Sequence, residues 1–240
     1  MKITLPSVKI IDPPSNPYEQ IEEAARICYQ SHNLKDKDSA KKITAKLIRS
    51  GHHTPLEFVN FKINFIVDRG ISHELVRHRH ISACQESTRW CSYNKDKFDG
   101  QLTFILPNLI RKNLSTYFYN ELYEKGTIGM SPIEIMDFKH MGAYATVWIT
   151  TMQETEWAYL DMVNEQNIPA QEARAVLPNS LKTELQISVN LRELRYILEL
   201  RSKPNCHPDM QHIMKELYRQ FTYLYPELFF DININEELAN

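Results

Sequence analysis

The chain has 240 residues, which is enough for one large domain or two small ones. Apolar residues make up 42% of it and charged residues 24%, the proportions of a soluble globular protein that can form a core. Its 28 basic and 30 acidic side chains give a net charge of −2. This balance argues against a protein that coats nucleic acid or a membrane surface, since such proteins carry a basic excess, but it allows a local basic pocket.

The sequence contains neither a membrane span nor a zinc or redox motif. No apolar run approaches the roughly 20 residues that cross a bilayer, and the first six residues lack the apolar core of a signal peptide. We therefore expect a cytoplasmic protein with reduced thiols. The four cysteines, Cys28, Cys84, Cys91 and Cys206, form no C-x-x-C pair, which argues against zinc-ribbon and thioredoxin-type sites.

Glycine is scarce, with six residues in the whole chain. None of the six lies in a G-x-G or a G-x-x-x-x-G-K pattern, so a Rossmann turn or a P-loop is nearly excluded. If the protein binds a dinucleotide, side chains must replace much of the glycine-rich backbone that usually holds the phosphates.

The first elements are a short strand and two helices. Val8–Asp12 is predicted to be a short strand, which Pro13 and Pro14 end. The apolar spacing of Tyr18–Gln30 predicts a helix. A second helix is predicted over Ala40–Ser50, begun by Ser39, and Gly51 is placed to end it as a C-cap.

Val59–Val67 is the clearest strand, because apolar residues alternate along it with a mostly polar face. This period of two predicts an antiparallel sheet with one solvated face. Asp68–Gly70 is predicted to be a turn and Ile71–His78 a helix. Ser92–Gly100 is predicted to be a polar loop.

The second half of the chain is predicted to be mostly helical. The predicted helices are Ile133–Gln166, Pro169–Ala175, Asn190–Arg201 and Pro208–Tyr223. Pro169 suits the first turn of its helix. Together these elements indicate one α/β domain, or one α+β domain with helical elaborations.

The densest group of polar residues runs from His73 to Arg89. Arg77, Arg79 and Arg89 fall within 13 residues. Arginine forks match phosphate oxygens, so the group suits a phosphate or another polyanion, while Gln85 and Ser87 add neutral donors that can orient a base or a sugar. The alternative is a solvated charged turn with a few surface ion pairs.

Two features of this group depend on local structure. If the segment is helical, His73 shares a face with Arg77, and Glu74 shares a face with His78. His78 and His80 could also suggest a metal site. The arginine between them repels a cation, and no carboxylate or thiolate set completes the coordination, so we predict no metal.

The predicted helix Asn190–Arg201 places an arginine on its apolar stripe. Leu194, Ile197 and Leu198 form the stripe, and Arg201 falls on it. Such an arginine either extends to the helix end or meets a buried anion. Arg192 and Arg195 lie off the stripe, so we expect them to serve another pocket or the solvent.

Two shorter motifs have ordinary structural explanations when taken alone. In Ala173–Pro178, Arg174 stands late in a predicted helix, where the helix dipole favours a cation. In Gly51–Glu57, a histidine, a hydroxyl and a carboxylate share a loop whose simplest role is to terminate a helix.

Together, four blocks of this sequence resemble the flavin-dependent thymidylate synthase family. The family carries R-H-R, seven residues, then serine, with an arginine two residues on, and Arg77–Arg89 matches this pattern. Gly51–Glu57 matches its G-H-x-T-P-x-E loop, and Ala173–Pro178 matches its A-R-x-x-L-P block. Asn190–Arg201 matches its N-x-R block with a later L-R. Four blocks in order over about 150 residues are far more specific than any one of them.

The resemblance implies an α+β fold with a central antiparallel sheet flanked by helices and a largely helical second half, in a single domain over residues 1–240. It implies an enzyme that methylates dUMP to dTMP. Methylenetetrahydrofolate supplies the carbon, and NADPH supplies the reducing equivalents through FAD. The family forms homotetramers whose active sites are shared between subunits, and it does not depend on a cysteine that attacks the uracil.

The resemblance also assigns residues to sites. In the FAD site it places Thr54, Arg77, His78, Arg79, Gln85, Asn190, Leu191, Arg192 and Tyr196. In the dUMP site it places Glu74, Leu75, Val76, Arg77, Gln85, Glu86, Ser87, Thr88, Arg89, Arg174 and Arg201. Arg201, Ser87 and His52 are the expected catalytic residues, with His52 near the entry of folate and nicotinamide. Arg89 and Arg174 suit the 5′-phosphate, and Arg201 would stabilise charge that develops on the uracil.

Three residues depart from the family pattern: Cys84, Trp90 and Tyr196. Two other classes of function compete with the resemblance. One is a non-catalytic nucleotide- or RNA-binding module that uses Arg77, Arg79 and Arg89 on phosphates, which predicts strong salt dependence and no bound chromophore. The other is a metal-dependent hydrolase that uses the histidines, which predicts loss of activity with chelators.

Overall fold

A computed structural model describes residues 1–114, 120, 124–125, 127–129 and 142–234 of the chain. The chain divides into two compact units. The first unit consists of Met1–Ser7, Ile66–Leu75 and Gln85–Leu185. The second unit consists of Val8–Phe65, Val76–Cys84 and Gln186–Asn240.

The first unit contains a three-stranded sheet. Its strands are β1 (Lys2–Thr4), β5 (Thr103–Ile105) and β6 (Thr127–Gly129), in the order β5-β1-β6. Strand β1 pairs with β5 in parallel and with β6 antiparallel. The sequence did not predict these strands, because three residues are too few to show a period of two.

Among the described residues, the first unit contains helices α3 (Arg69–Leu75), α4 (Asn108–Arg111), α5 (Ala143–Asn164) and α6 (Ala170–Ala173). Helix α5 confirms the predicted helix Ile133–Gln166 over its own length, while residues 133–141 lie outside the described residues. Its buried residues, Trp148 and Tyr159 among them, pack with Ile3 and Phe104 in one apolar core. No helix in the described part of the chain is long and apolar enough to cross a membrane.

The helices of the second unit are α1 (Pro17–Tyr29), α2 (Ser39–Arg49), α7 (Leu191–Arg201), α8 (Pro208–Leu224) and α9 (Pro226–Phe229). The first four confirm the helices predicted from apolar spacing, with ends shifted by one residue. In the core of this unit, Phe61 packs edge-to-face on Phe221 at a centroid distance of 5.0 Å.

The larger sheet consists of β2 (Ser7–Ile11), β3 (Asn60–Asp68), β4 (Ile81–Gln85) and β7 (Lys182–Asn190), in the order β2-β3-β7-β4. Strands β2 and β3 confirm the predicted strands, and the odd-numbered residues of β3 from Phe61 to Val67 are all buried. Strand β7 was not predicted, although its buried and exposed residues also alternate. The predicted α+β fold with an antiparallel sheet and a largely helical second half is confirmed.

The predicted turn at Asp68–Gly70 was wrong, and the helix predicted from Ile71 to roughly His78 is confirmed only as far as Leu75. Arg69 and Gly70 begin helix α3, because the Asp68 carboxylate accepts a hydrogen bond of 2.8 Å from the Ile71 N–H and so acts as the N-cap. The helix ends at Leu75. The shared helical faces expected for His73 with Arg77 and for Glu74 with His78 therefore do not form.

The predicted helix Pro169–Ala175 is shorter than expected. Pro169 is the N-cap of α6 rather than a residue of its first turn, and the chain continues from Arg174 to Val176 as a turn of 3-10 helix. The polar loop predicted over Ser92–Gly100 is confirmed, apart from one turn of 3-10 helix at Asp96–Phe98.

Candidate active site

The loop that carries His52 is shaped by the end of helix α2. The Gly51 N–H bonds to the Ile48 carbonyl at 3.1 Å, and the His52 N–H bonds to the Leu47 carbonyl at 2.9 Å. This pair of bonds is a Schellman motif, which requires a left-handed residue, and Gly51 supplies it with φ of 72°. Gly51 is therefore the predicted helix terminator, and it leaves the side chain of His52 exposed.

A pocket of about 310 Å³ lies beside this loop in the second unit. His52, Thr54 and Arg192 line it, together with Cys28 and Tyr29 of α1. The predicted catalytic histidine and two residues of the predicted flavin site therefore share one concave surface.

The start of helix α7 positions a second group of predicted residues. The Asn190 side chain accepts a hydrogen bond of 2.9 Å from the Glu193 N–H, so Asn190 is the N-cap rather than a residue of the helix. Arg192 then projects outward, where its Nη1 lies 2.7 Å from the Glu57 carboxylate. Both side chains of this ion pair are largely exposed, so it contributes little to stability and can exchange for another anion.

A second pocket, which we call the α7 crevice, has a volume of about 470 Å³. It is lined by Asn190, Arg192 and Tyr196, all predicted to bind the flavin, and also by His53 and His80. Its volume lies within the range of ligand sites, and its walls combine amide, guanidinium, imidazole and phenol groups with the carboxylates of Glu57, Glu193 and Glu199. The sequence has no glycine-rich phosphate-binding turn, so side chains such as these would have to recognise a dinucleotide bound in the α7 crevice.

His78 is buried and both of its ring nitrogens have partners in the second unit. Nδ1 lies 3.1 Å from a carboxylate oxygen of Glu193, and Nε2 accepts a hydrogen bond of 3.1 Å from Nε of Arg201. Burial lowers the pKa of His78 below its ordinary value of 6.5, and the charge of Arg201 lowers it further, although the hydrogen bond to Glu193 opposes both effects. His78 is therefore neutral at neutral pH.

Two of the three arginines of α7, Arg195 and Arg201, make contacts that the sequence did not indicate. Arg195, predicted to serve another pocket or the solvent, is 4% exposed. Its Nη2 lies 2.8 Å and 2.7 Å from the two carboxylate oxygens of Asp231, and its Nη1 donates to the Leu228 carbonyl. These contacts tie α7 to Leu228 of α9 and to Asp231, which follows that helix. Arg201 is half-buried, and its Nε is directed at His78.

In the first unit, Gln85 and Glu86 are held by contacts within the protein. Gln85 donates from Nε2 to the Ser72 hydroxyl at 2.8 Å and lies 3.3 Å from the Thr183 hydroxyl. The carboxylate of Glu86 accepts hydrogen bonds from the Tyr93 hydroxyl at 2.9 Å and from Lys182 Nζ at 2.8 Å. Burial, followed by the charge of Glu86, raises the pKa of Tyr93, which therefore stays a donor.

The residues after Glu86 form a tight turn that presents an arginine. The Ser87 carbonyl accepts hydrogen bonds from the backbone of Trp90 at 3.1 Å and of Cys91 at 2.8 Å. Arg89 is exposed, and its Cζ lies 5.2 Å from the centroid of the Trp90 ring. Its Nε donates a hydrogen bond of 3.2 Å to the side-chain oxygen of Gln171. Gln171 belongs to α6, which Arg174 directly follows.

The predicted site residues are divided between the two units. The second unit holds Thr54, Arg77, His78, Arg79, Asn190, Arg192, Tyr196 and Arg201, with Val76 exposed beside Arg77. The first unit holds Glu74, Gln85, Glu86, Ser87, Thr88, Arg89 and Arg174. Leu75 and Leu191 are almost fully buried, so their side chains belong to the core.

Sequence reasoning missed Glu193 and Lys182. Glu193 follows Asn190 by three positions, which is the spacing of a capping residue and its acidic partner at a helix start, and this spacing could have drawn attention to it. Lys182 opens the alternating strand β7, but nothing in the local sequence indicates its partner Glu86. Among the described residues, no group of three or more His, Cys, Asp or Glu side chains is placed to hold a metal ion.

Comparison with known proteins shows the family to which the chain belongs. The sequence profile described as thymidylate synthase complementing protein matches residues 9–227. A flavin-dependent thymidylate synthase of Geobacter sulfurreducens is 28% identical over 224 residues, which cover 90% of this chain and 82% of that protein. The flavin-dependent thymidylate synthase of Pyrococcus furiosus is 27% identical over 201 residues, which cover 81% and 70%.

Two solved structures share the fold. The structure of thymidylate synthase X from Helicobacter pylori with FAD and dUMP matches with a TM-score of 0.65 at 20% identity, over 93% of this chain and 99% of that one. The UMP/dUMP methylase PolB from Streptomyces cacaoi, bound with 5-Br dUMP, matches with a TM-score of 0.71 at 19% identity, over 95% of both chains. Because the fold agrees and the profile match spans most of the sequence, the chain belongs to the thymidylate synthase complementing protein family, that of the flavin-dependent thymidylate synthases.

Proposed function

We propose that this protein is a flavin-dependent thymidylate synthase, which methylates dUMP to dTMP. Methylenetetrahydrofolate is the carbon donor and NADPH is the reductant, acting through FAD. The observation that carries this proposal is the family match over residues 9–227, which contains all four motif blocks. The chain acts as one domain over residues 1–240, in the cytoplasm, as a homotetramer whose active sites are shared between subunits.

The donor set of the second unit fits FAD. Asn190, Arg192 and Tyr196 line the α7 crevice, and exposed Arg77 and Arg79 supply positive charge. Bound FAD would supply the reducing equivalents for the methylation. The residues that would hold it are Thr54, Arg77, His78, Arg79, Asn190, Leu191, Arg192 and Tyr196 of this unit, together with Gln85 of the first unit.

The remaining residues serve dUMP and the chemistry. Arg89 and Arg174 bind the 5′-phosphate, because both are exposed and a guanidinium fork matches phosphate oxygens. Arg201 faces the uracil and stabilises negative charge on it during methyl transfer, Ser87 contacts the base, and His52 stands at the entry of folate and nicotinamide. Glu74, Leu75, Val76, Gln85, Glu86 and Thr88 complete the substrate site.

The decisive experiment is turnover with the purified protein. We expect a yellow protein with a flavin absorption band that forms dTMP from dUMP, methylenetetrahydrofolate and NADPH, and that is insensitive to chelators. A colourless protein that binds RNA with strong salt dependence and forms no dTMP would contradict the proposal and support a non-catalytic module.

Replacing Arg79 with alanine is expected to weaken FAD retention. Arg79 is exposed beside buried His78, where it can donate a charge-assisted hydrogen bond, and loss of such a bond costs on the order of 1.5–3 kcal/mol. The measurement is the flavin absorbance per protein after dialysis. The matched control is Arg219→Ala, which removes an exposed arginine of α8 that lies 3.9 Å from Glu216. Unchanged flavin content in Arg79→Ala would contradict the prediction.

Replacing Cys84 or Cys91 with alanine is expected to leave substantial turnover. Both are unpaired thiols, and neither is in a position that the family uses to attack the uracil. The measurement is dTMP formation by each variant at matched flavin content. Complete loss of turnover in either variant, with FAD still bound, would instead indicate a thiolate mechanism.

A further inference from the structure

Three side chains of the second unit form a hydrogen-bonded chain around α7. Glu193 lies in the first turn of the helix and Arg201 is its last residue. His78 comes from the segment before β4, and it contacts Glu193 through Nδ1 and Arg201 through Nε2, at 3.1 Å in both cases. The imidazole therefore bridges a carboxylate and a guanidinium that belong to opposite ends of one helix.

The two outer groups determine where the proton of the imidazole resides. The Nε of Arg201 can only donate a hydrogen bond, so Nε2 of His78 must accept one. An ionised Glu193 can only accept, so Nδ1 of His78 must carry the proton. Any other protonation state of the imidazole loses at least one of the two hydrogen bonds, and Glu193 thus selects the tautomer that Arg201 needs.

The separation along the helix explains why a bridge is required. Glu193 and Arg201 are eight positions apart, roughly 12 Å along an α-helix, so their side chains cannot pair by the ordinary spacing of three or four residues. The Tyr196 ring lies between them in sequence and packs edge-on against His78, with centroids 6.1 Å apart. The side chains of His78 and Glu193 are only 5% and 12% exposed, so solvent competes weakly for their hydrogen bond.

We propose that Glu193 is a positioning residue for Arg201, which it acts on through His78. The carboxylate holds the Nδ1–H tautomer, and the Nε2 lone pair then holds the Nε edge of the guanidinium in one orientation. The inference rests on the proposed function, in which Arg201 faces the uracil. It assigns a role to a residue that lies within the Asn190–Arg201 block but is not one of its matched letters, and it gives His78 a function that is separate from flavin contact.

The first test is a double-mutant cycle on dTMP turnover. Glu193→Leu should lower turnover about tenfold, while Glu193→Gln, whose amide oxygen still accepts from Nδ1–H, should stay within about threefold of the wild type. In an Arg201→Ala background, Glu193→Leu should add less than about a twofold loss, because its target is gone. Release of tritium from 5-tritiated dUMP makes the slow variants measurable. Oxygen-coupled NADPH oxidation should remain in every variant.

The control for the cycle is Glu23→Gln. Glu23 is a carboxylate of the same unit that also lies beside a histidine, His32, at 3.4 Å, but this pair is exposed and remote from α7 in sequence. It should leave turnover unchanged. Equal fractional losses from Glu193→Leu in both backgrounds would show a structural role only, and wild-type turnover in Glu193→Leu would show no role; either result would overturn the proposal.

The second test needs no variant of Glu193. In wild-type holoenzyme with ¹⁵N-labelled histidine, the nitrogen shifts of His78, assigned by difference from His78→Gln, should report a proton on Nδ1 and none on Nε2 at neutral pH. An Nε2–H tautomer or an imidazolium would overturn the inference. Failure of the wild-type enzyme to form dTMP would instead refute the proposed function, since the tautomer is observed independently of turnover.

Discussion

Arg201→Ala is expected to retain FAD and oxygen-coupled NADPH oxidation but to lose methyl transfer, with dTMP turnover at least about a hundredfold below the wild type. Removal of one donor that stabilises developing negative charge typically has this effect. The guanidinium is half-buried and held by His78, so it is already oriented before the substrate arrives. An interaction that strengthens as charge develops acts on the transition state more than on binding.

The measurement is dTMP formation and NADPH oxidation by the same preparation. Arg201→Lys should rescue poorly, because lysine keeps the charge but lacks the planar fork with which Arg201 bonds to His78 and, in the proposed function, to the base. Arg219→Ala, the exposed arginine of α8, is the control and should turn over normally. If dTMP formation by Arg201→Ala stays near the wild-type rate, Arg201 is structural and its catalytic assignment is wrong.

Glu86→Ala is expected to lower the free energy of unfolding by about 3 kcal/mol, the lower end of the range for removing one partner of a buried ion pair. The Glu86 side chain is 10% exposed and that of Lys182 is 23% exposed, so the ion pair is not fully buried and the lower end of the range applies. The substitution also leaves the Tyr93 hydroxyl, a buried donor, without its carboxylate.

Chemical unfolding followed by fluorescence measures this loss, with Glu86→Gln expected between alanine and the wild type because an amide oxygen can still accept one of the hydrogen bonds. Glu154→Ala removes an exposed carboxylate of α5 in the same unit, and it should change stability by less than about 0.5 kcal/mol. Wild-type stability in Glu86→Ala, combined with weaker dUMP binding, would mean that Glu86 is a ligand residue without a structural role.

Local periodicity predicted much of the fold. Helices α1, α2 and α8 and strand β3 were placed to within one residue, because each shows its period over nine or more residues. Strand β7 shows the same alternation and was overlooked. The end of α3 could not be predicted from local sequence. Shortly after Leu75, His78 forms hydrogen bonds with Glu193 and Arg201, which lie more than a hundred positions away in sequence.

The sequence by itself indicated the family, because four of its motif blocks match those of the family in order. It also showed which residue types are available to contact phosphate, flavin and uracil. These depend on chemical identity and spacing, which are local properties. Only the tertiary structure showed that Arg195 is a buried structural residue, whereas Arg201 is half-buried and oriented by His78. Arg195 meets Asp231, 36 positions on, and Arg201 meets His78, 123 positions back. Such partners are brought together by packing of the whole unit, so no local pattern of residues can indicate them.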